Sequence, residues 1–157
     1  MRTASALAAV LVAVAATLVA CGGSGRLSAS AYRGKLAAIS REASDAQGAV
    51  EKNARRAKTV ADLQADLTEF SHAEAHIANL VQALKPPKNA EAANEELAGG
   101  AEDTSKATAA VVNKIGKFKN VQGALGYLAA HNGNQKGAHE LDDALAKLKQ
   151  LGYTKGS

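Results

Sequence analysis

Two histidines and a glutamate have the spacing of metal ligands. His72 and His76 are four positions apart, so they share one face of a helix, and Glu69 precedes His72 by three positions. Glu69-x-x-His72 is half of the ligand pattern of a ferritin-like di-iron site, but the sequence holds no second Glu-x-x-His. The apolar periodicity also turns these side chains toward solvent. We therefore predict no metal centre, with weak zinc, copper or nickel binding by Glu69, His72 and His76 as the alternative.

The sequence offers no set of residues for catalysis. A zinc protease motif places Glu directly after its first His, whereas Glu74 comes one position later, about 100° further around a helix. There is neither a Gly-x-Ser-x-Gly turn nor a phosphate-binding glycine-rich loop, and the single cysteine is Cys21. We predict that the protein is not an enzyme and carries no cofactor.

Glu74 interrupts the apolar stripe of the second helical segment. Counting residues from each turn places it level with small residues of the neighbouring helices, Ala43 and Gly99-Gly100, which would leave room for a pocket in the middle of a bundle. A carboxyl buried there without a partner would have a raised pKa. Two interpretations follow: a buried polar site at Glu74, or a slightly rotated helix with Ala73 in the stripe and Glu74 at its edge. We expect the edge position.

Basic residues gather at the ends of the first and third helical segments. In an up-down bundle, the carboxyl-terminal ends of these two helices lie at the same end of the molecule. Lysine and arginine at such ends ordinarily offset the helix dipole, and contact with an anionic cell-wall polymer or an acidic partner protein is the functional alternative. This distal basic cluster consists of Lys52, Arg55, Arg56, Lys58, Lys114, Lys117 and Lys119.

The first 20 residues have the composition of a targeting segment. One basic residue, Arg2, precedes a run from Ala6 to Ala20 that is apolar apart from Thr17. As a helix this run rises only about 22 Å, which is short for a membrane span of roughly 20 apolar residues. Its length and flanks are typical of a cleavable secretory signal.

The end of this run, Leu18-Val19-Ala20-Cys21, resembles the lipobox of bacterial lipoproteins. The resemblance implies that residues 1–20 are removed, that Cys21 receives a diacylglycerol, and that the protein is anchored by Cys21 to the extracytoplasmic face of the cell membrane. Residues 21–27, with Gly22-Gly23-Ser24-Gly25, would be a flexible tether, and residues 28–157 a single helical domain. The alternative is an ordinary signal peptide followed by an accidental cysteine.

The composition of the remainder predicts an all-α fold. Alanine is abundant and only Pro86 and Pro87 interrupt the chain. Helical periodicity runs over about 28–58, then from Thr59, which with Asp62 predicts a capping box, to Pro86, and over about 89–117. The predicted apolar stripe of the first segment is Tyr32, Leu36, Ile39, Ala43, Ala46, Val50, Asn53 and Ala57, and that of the second is Val60, Leu63, Leu67, Phe70, Ile77, Val81 and Leu84. We predict an up-down-up-down four-helix bundle whose fourth helix, in two pieces over 121–130 and 135–151, is kinked or broken near residues 131–134. The inner stripe of the last piece would be Ala138, Leu141, Leu145 and Leu148.

Gly99-Gly100 falls inside the third helical segment, where each glycine costs about 1 kcal/mol relative to alanine. Either the helix kinks at this pair or a neighbouring helix needs the space. The overall pattern resembles small bacterial helical-bundle lipoproteins, and that resemblance implies no particular activity.

These observations favour a lipid-anchored, non-enzymatic helical module on the outer face of a bacterial membrane, binding a protein or an envelope component. The alternative is a carrier of a small ligand or metal that uses a pocket at Glu74 or the His72/His76 face. A net charge of only +4 and 3% aromatic residues argue against nucleic acid. A solid core would favour the module, and an apolar cavity would favour the carrier.

Replacing Cys21 tests the predicted anchor. Cys21→Ala removes the sulfur that accepts the lipid, so we expect neither lipid attachment nor cleavage before residue 21, whereas two or three acyl chains on the wild-type protein hold it stably to a bilayer. Detergent-phase partitioning and intact mass measure both effects. A wild-type mature chain that begins elsewhere and has no lipid would contradict the prediction.

Overall fold

The chain is helical throughout most of the residues that the computed structural model describes, 25–131 and 135–154. No β-strand occurs in these ranges, so the predicted all-α class is confirmed. The predicted signal peptide, Cys21 and residues 132–134 of the predicted helix break lie outside the described residues. The α-helices are α1 (Ala29–Ala54), α2 (Val60–Gln82), α3 (Glu91–Ile115), α4 (Val121–Ala130) and α5 (Gln135–Gln150), with a 3₁₀ turn at Lys88–Ala90.

Polar side chains explain where several helices begin. The Ser28 hydroxyl accepts a hydrogen bond from the backbone of Ala31 at the start of α1. At the start of α2, the side chains of Thr59 and Asp62 each accept a hydrogen bond from the other residue's backbone N–H, which confirms the predicted capping box. Asn120 caps α4 with its side-chain oxygen. The capping box of α2 depends on local sequence, which is why it could be predicted.

The first three helices run antiparallel in sequence order. Leu27 N donates to Lys85 O (2.7 Å), so the start of α1 lies beside the end of α2. Asn94 Nδ2 donates to Val81 O (3.2 Å), so the start of α3 also lies beside the end of α2. α2 therefore packs between α1 and α3.

Asn94 also ties α3 to α1 through a buried tyrosine. Tyr32 is fully buried and its hydroxyl donates to Asn94 Oδ1 (2.9 Å). The rings of Tyr32 and Tyr153 meet edge to face with centroids 5.1 Å apart. Burial, with a smaller contribution from Tyr153, raises the pKa of Tyr32 to about 12, so this hydroxyl keeps its proton and the hydrogen bond it donates.

α5 runs antiparallel to α3 and packs closely along it. Lys136 Nζ lies 2.7 Å from Asp103 Oδ2 near the start of α5, and Lys147 Nζ lies 2.5 Å from Glu96 Oε2 near its end. Both lysines are exposed, so each ion pair adds little stability. Together, however, the two pairs show that α5 runs antiparallel to α3.

Two glycines bring the backbones of α3 and α5 into direct contact. A Cβ atom on Gly100 would lie 2.9 Å from Leu141 N and 3.0 Å from Gly137 O, closer than real Cβ contacts come. A Cβ atom on Gly137 would lie 2.8 Å from Thr104 Oγ1. A Cβ atom on Gly99, by contrast, would meet nothing within 4 Å. The sequence left two explanations for the glycine pair, a kink in α3 or the close approach of a neighbouring helix. The contacts of Gly100 favour the close approach.

Most of the buried apolar side chains belong to one of two clusters. The basal core lies where α1 begins and α5 ends, and the distal core lies where α1 and α3 end and α2 begins. The predicted apolar stripes of α1 and α2 contribute to both. The basal core contains Tyr32, Leu36, Val81, Ala90, Ala93, Leu97, Ala144, Leu148 and Tyr153, and the distal core contains Leu63, Leu67, Val112, Ile115 and Ala124.

The predicted inner stripe of α5 is wrong at two of its four positions. Ala138 and Leu145 are exposed, whereas Gly137 and Ala144 are buried together with Leu148. The close contact with α3 explains the difference, because it selects small residues for the buried face of α5 rather than the leucine repeat.

The two neighbouring glycines of α3 provide a matched pair of substitutions. Gly99→Ala should raise the free energy of unfolding by about 0.5–1 kcal/mol, because alanine favours the helix and its methyl group has free space. Gly100→Ala should lower it by about 1–3 kcal/mol, because the methyl group would overlap the α5 backbone. Urea unfolding of both variants measures the difference, and equal effects would show that α3 and α5 do not approach as described.

Candidate ligand-binding cavity

A large cavity separates α1 from α5. The closely packed helix pairs in the described part of the chain are α1 with α2, α2 with α3, and α3 with α5. The space between α1 and α5, over α2 and α3, is a cavity of about 1130 Å³. The cavity is open to solvent, and its volume lies just above the usual range for small-molecule sites, about 300–1,000 Å³. Its apolar lining includes Leu36, Ile39, Phe70, Ile77, Leu141 and Leu145.

The cavity exists because small side chains lie between the two cores. Ala43 of α1 and Ala101 and Thr104 of α3 line it at a level where larger residues would reach across the gap. Leu145 of α5 lines the same space and remains 43% exposed. Apolar surface of α5 is therefore left uncovered beside the cavity.

Glu74 is the one carboxylate among the described residues that line the cavity. Its side chain is half-buried, and its Oε2 is the one buried side-chain oxygen or nitrogen of the described chain that has no hydrogen-bond partner. Burial raises the pKa of Glu74, and a hydrogen bond to the Thr108 side chain opposes that shift in part. The carboxyl consequently favours its neutral form more than an exposed glutamate does.

Three basic side chains also line the cavity, all of them exposed: Arg33 and Arg41 of α1 and Lys149 of α5. Arg33 Nη1 lies 3.5 Å from Gly152 O, just beyond α5, and so joins the start of α1 to the end of α5. Sequence reasoning missed all three as site residues, because an exposed base on a helix looks like any solvated face. Their one signal was proximity to the predicted inner stripe.

The glycine pair is not where the sequence placed it relative to Glu74. Neither Gly99 nor Gly100 lines the central cavity. Gly99 borders a separate groove of about 560 Å³ between α2 and α3, together with Asn79. Gly100 faces α5 instead, and its backbone packs against that helix. Of the predicted small neighbours, Ala43 shares the cavity with Glu74 and the glycines do not.

The histidine face does not assemble a metal site in the described residues. Glu69, His72 and His76 are all exposed. His76 Nε2 lies 3.3 Å from Glu42 Oε1 of α1, so one imidazole pairs with a carboxylate of the neighbouring helix. No group of three or more His, Cys, Asp or Glu side chains in the described chain is arranged to hold a metal ion.

The ends of α1 and α3 that carry the distal basic cluster lie at the same end of the molecule. Ala54 and Ala57 pack against the distal core, and so does Phe118, which follows α3. All seven side chains of the cluster, Lys52, Arg55, Arg56, Lys58, Lys114, Lys117 and Lys119, are exposed. The cluster is therefore a solvated basic surface distant from the basal core.

No known protein family, curated protein or solved structure matches this chain. Among the helices described, none is both long enough and apolar enough to cross a membrane. The cavity and the charges around it are therefore the features from which a function can be inferred.

Replacing Glu74 should have an effect that depends on pH. Because the folded state raises the pKa of this carboxyl, the wild-type protein loses stability as pH rises above the usual value of 4.5 toward the folded pKa. Glu74→Leu removes that loss and adds apolar surface to an apolar cavity, so its stabilising effect should be larger at pH 8 than at pH 4. Thermal unfolding at both pH values measures this.

Glu69→Leu, on the exposed face of the same helix, is the matched control. It should change the melting temperature by a similar amount at both pH values. A destabilising Glu74→Leu, or one whose effect is the same at pH 4 and pH 8, would show that the carboxyl is not held in an apolar environment.

Proposed function

We propose that this protein is a lipid-anchored carrier on the outer face of a bacterial membrane, holding a small apolar or amphipathic ligand in the central cavity. The observation that carries the proposal is the apolar cavity of about 1130 Å³ between the basal and distal cores. A structural module that only presents its surface needs no such space, and a solid core would stabilise it better.

The helix contacts support a cavity that is maintained rather than collapsed. α1 is held on α2, and α5 is held on α3 by the contact between Gly100 and Gly137. Moving α5 toward α1 would break this backbone contact and expose Ala144 and Leu148. Apolar surface of this kind, left open beside polar residues, is characteristic of a ligand-binding groove.

The proposed fourth member of the bundle is α4 together with α5. α4 has ten residues and contributes Ala124 to the distal core, while α5 lies along α3. We propose that the predicted break between them lets the second piece follow α3 instead of closing onto α1. The up-down-up-down arrangement would then be open on one side, and that side is the mouth of the cavity.

The proposed anchor would determine which end of the cavity lies closer to the membrane. A tether of a few glycine-rich residues spans on the order of 12 Å, so the start of α1 would remain close to the bilayer. Arg33 and Lys149 line the cavity near this end. A ligand from the membrane surface would thus meet the basic end of the cavity first.

Partner binding by the distal basic cluster is the second candidate function. Its seven exposed basic side chains would face away from the proposed anchor, toward cell-wall polymer or an acidic protein. The histidine face has less support as a metal carrier, since only His76 of the pair has a carboxylate partner in the described chain.

Binding of the neutral apolar dye N-phenyl-1-naphthylamine tests the carrier. We use the chain from residue 21 onward with Cys21→Ser, produced without the predicted signal segment and purified without detergent, so that neither the apolar run nor an acyl chain is present. The dye should bind saturably with one site, and Ala43→Phe should weaken binding by placing a benzyl group in the middle of the cavity, in the path of the ligand. Fluorescence titration measures both.

Ala38→Phe is the control, because Ala38 is an exposed residue of α1 that does not line the cavity. It should leave dye affinity unchanged. Absence of saturable binding by the folded chain, or equal losses in both phenylalanine variants, would refute a carrier that uses this cavity.

A further inference from the structure

We infer that the ligand is a single-chain anionic amphiphile, with its acyl chain along the cavity and its acidic head group held by Arg33 and Lys149. This inference rests on the proposed carrier function and adds the chemical class and the orientation of the ligand. The length and apolar lining of the cavity indicate the acyl chain, and the distribution of charge along the cavity indicates the acidic head group.

The length of the cavity matches one acyl chain with its head group. The α1 residues that line it extend from Arg33 to Gln47. At 1.5 Å per residue, these positions span about 21 Å along the helix. The chains of one bilayer leaflet occupy about 15 Å, half of a hydrocarbon core of about 30 Å. One such chain fits lengthwise and leaves room for a head group at one end.

Two cations mark the basal end of the cavity. Arg33 Nη1 donates to Gly152 O (3.5 Å), and Gly152 N donates to Lys149 O (3.0 Å), so both basic residues belong to the junction where α1 begins and α5 ends. Within the described chain, neither Arg33 nor Lys149 forms an ion pair with a carboxylate. A guanidinium has five N–H donors and an ammonium three, so both retain donors for an anion.

Glu74 determines the orientation. It comes seven residues before Val81, a member of the basal core, and so lies about 10 Å further from the basal end along α2. A carboxyl at this depth repels an anionic head group when ionised and, when neutral, tolerates a hydrocarbon chain beside it. One exposed cation, Arg41, lines the cavity near this depth, whereas the basal end has two. The acidic head therefore belongs at the basal end, and the chain extends toward Glu74 and Phe70.

Three amphiphiles with the same chain and different head groups test the inference: dodecanoate, dodecanol and dodecylammonium. Each is titrated at pH 7.5 against the N-phenyl-1-naphthylamine complex of the same Cys21→Ser chain, produced from residue 21 onward. Dodecanoate should displace the dye at a concentration about tenfold lower than dodecanol, since only the carboxylate forms charge-assisted hydrogen bonds with the two cations. Dodecylammonium should be the weakest competitor.

The double substitution Arg33→Gln with Lys149→Gln should remove this preference. Dodecanoate should then compete no better than dodecanol, while the affinity for dodecanol changes less than about twofold because the apolar lining is intact. Lys35→Gln is the control, because Lys35 is an exposed base of α1 outside the cavity, and it should retain the full preference for dodecanoate. Both changes lie on exposed positions, and circular dichroism verifies that each variant is folded.

The outcomes separate this inference from the carrier proposal. Equal competition by dodecanoate and dodecanol, preference for dodecylammonium, or an unchanged preference in the double variant would overturn the assignment of an anionic ligand. Dye binding without displacement by any of the three would also overturn it and leave the cavity as a site for ligands of another shape. If the dye itself does not bind to the folded chain, the carrier proposal fails as well.

Discussion

The contact between Gly100 of α3 and Gly137 of α5 is the constraint on which the rest of the structure depends. Because neither residue has a side chain, the two backbones touch, and α5 is held against α3. α1 is held against α2 on the other side of the molecule. The width between α1 and α5 is therefore determined by contacts elsewhere, and small residues such as Ala43 do not fill it. The cavity is a consequence of where the helices are fixed.

Division of the buried residues into two cores allows a cavity without loss of the fold. The basal core is closed by aromatic and hydrogen-bonded groups, including Tyr32 and Asn94, while the distal core is packed from Leu63, Ile115 and their neighbours. Each end of the molecule thus has its own cluster of buried side chains. The middle can then hold a half-buried glutamate and uncovered apolar surface, which a single continuous core would have excluded.

Features that depend on neighbouring residues in the sequence could be predicted, and those that depend on contacts between distant segments could not. The capping box at Thr59 and the apolar stripes of α1 and α2 follow from local chemistry and helical periodicity. The level of Ala43 opposite Glu74 also follows, since α1 and α2 are joined by a short turn. The position of the glycine pair and the buried face of α5 do not, because the Gly100–Gly137 contact sets both. The sequence did not predict the basic residues of the cavity lining, because it does not show which faces of α1 and α5 border the cavity. These residues are Arg33, Arg41 and Lys149.

The central claim is that the cavity between α1 and α5 holds a ligand in the cell. Native mass spectrometry of the full chain, released intact from the membranes of the cells that produce it, tests this most directly. The account predicts one non-covalently bound molecule of lipid mass per chain, in addition to any covalent lipid, and its loss from the Ala43→Phe variant but not from Ala38→Phe. A wild-type chain that carries no such molecule, or one that Ala43→Phe retains, would contradict the account.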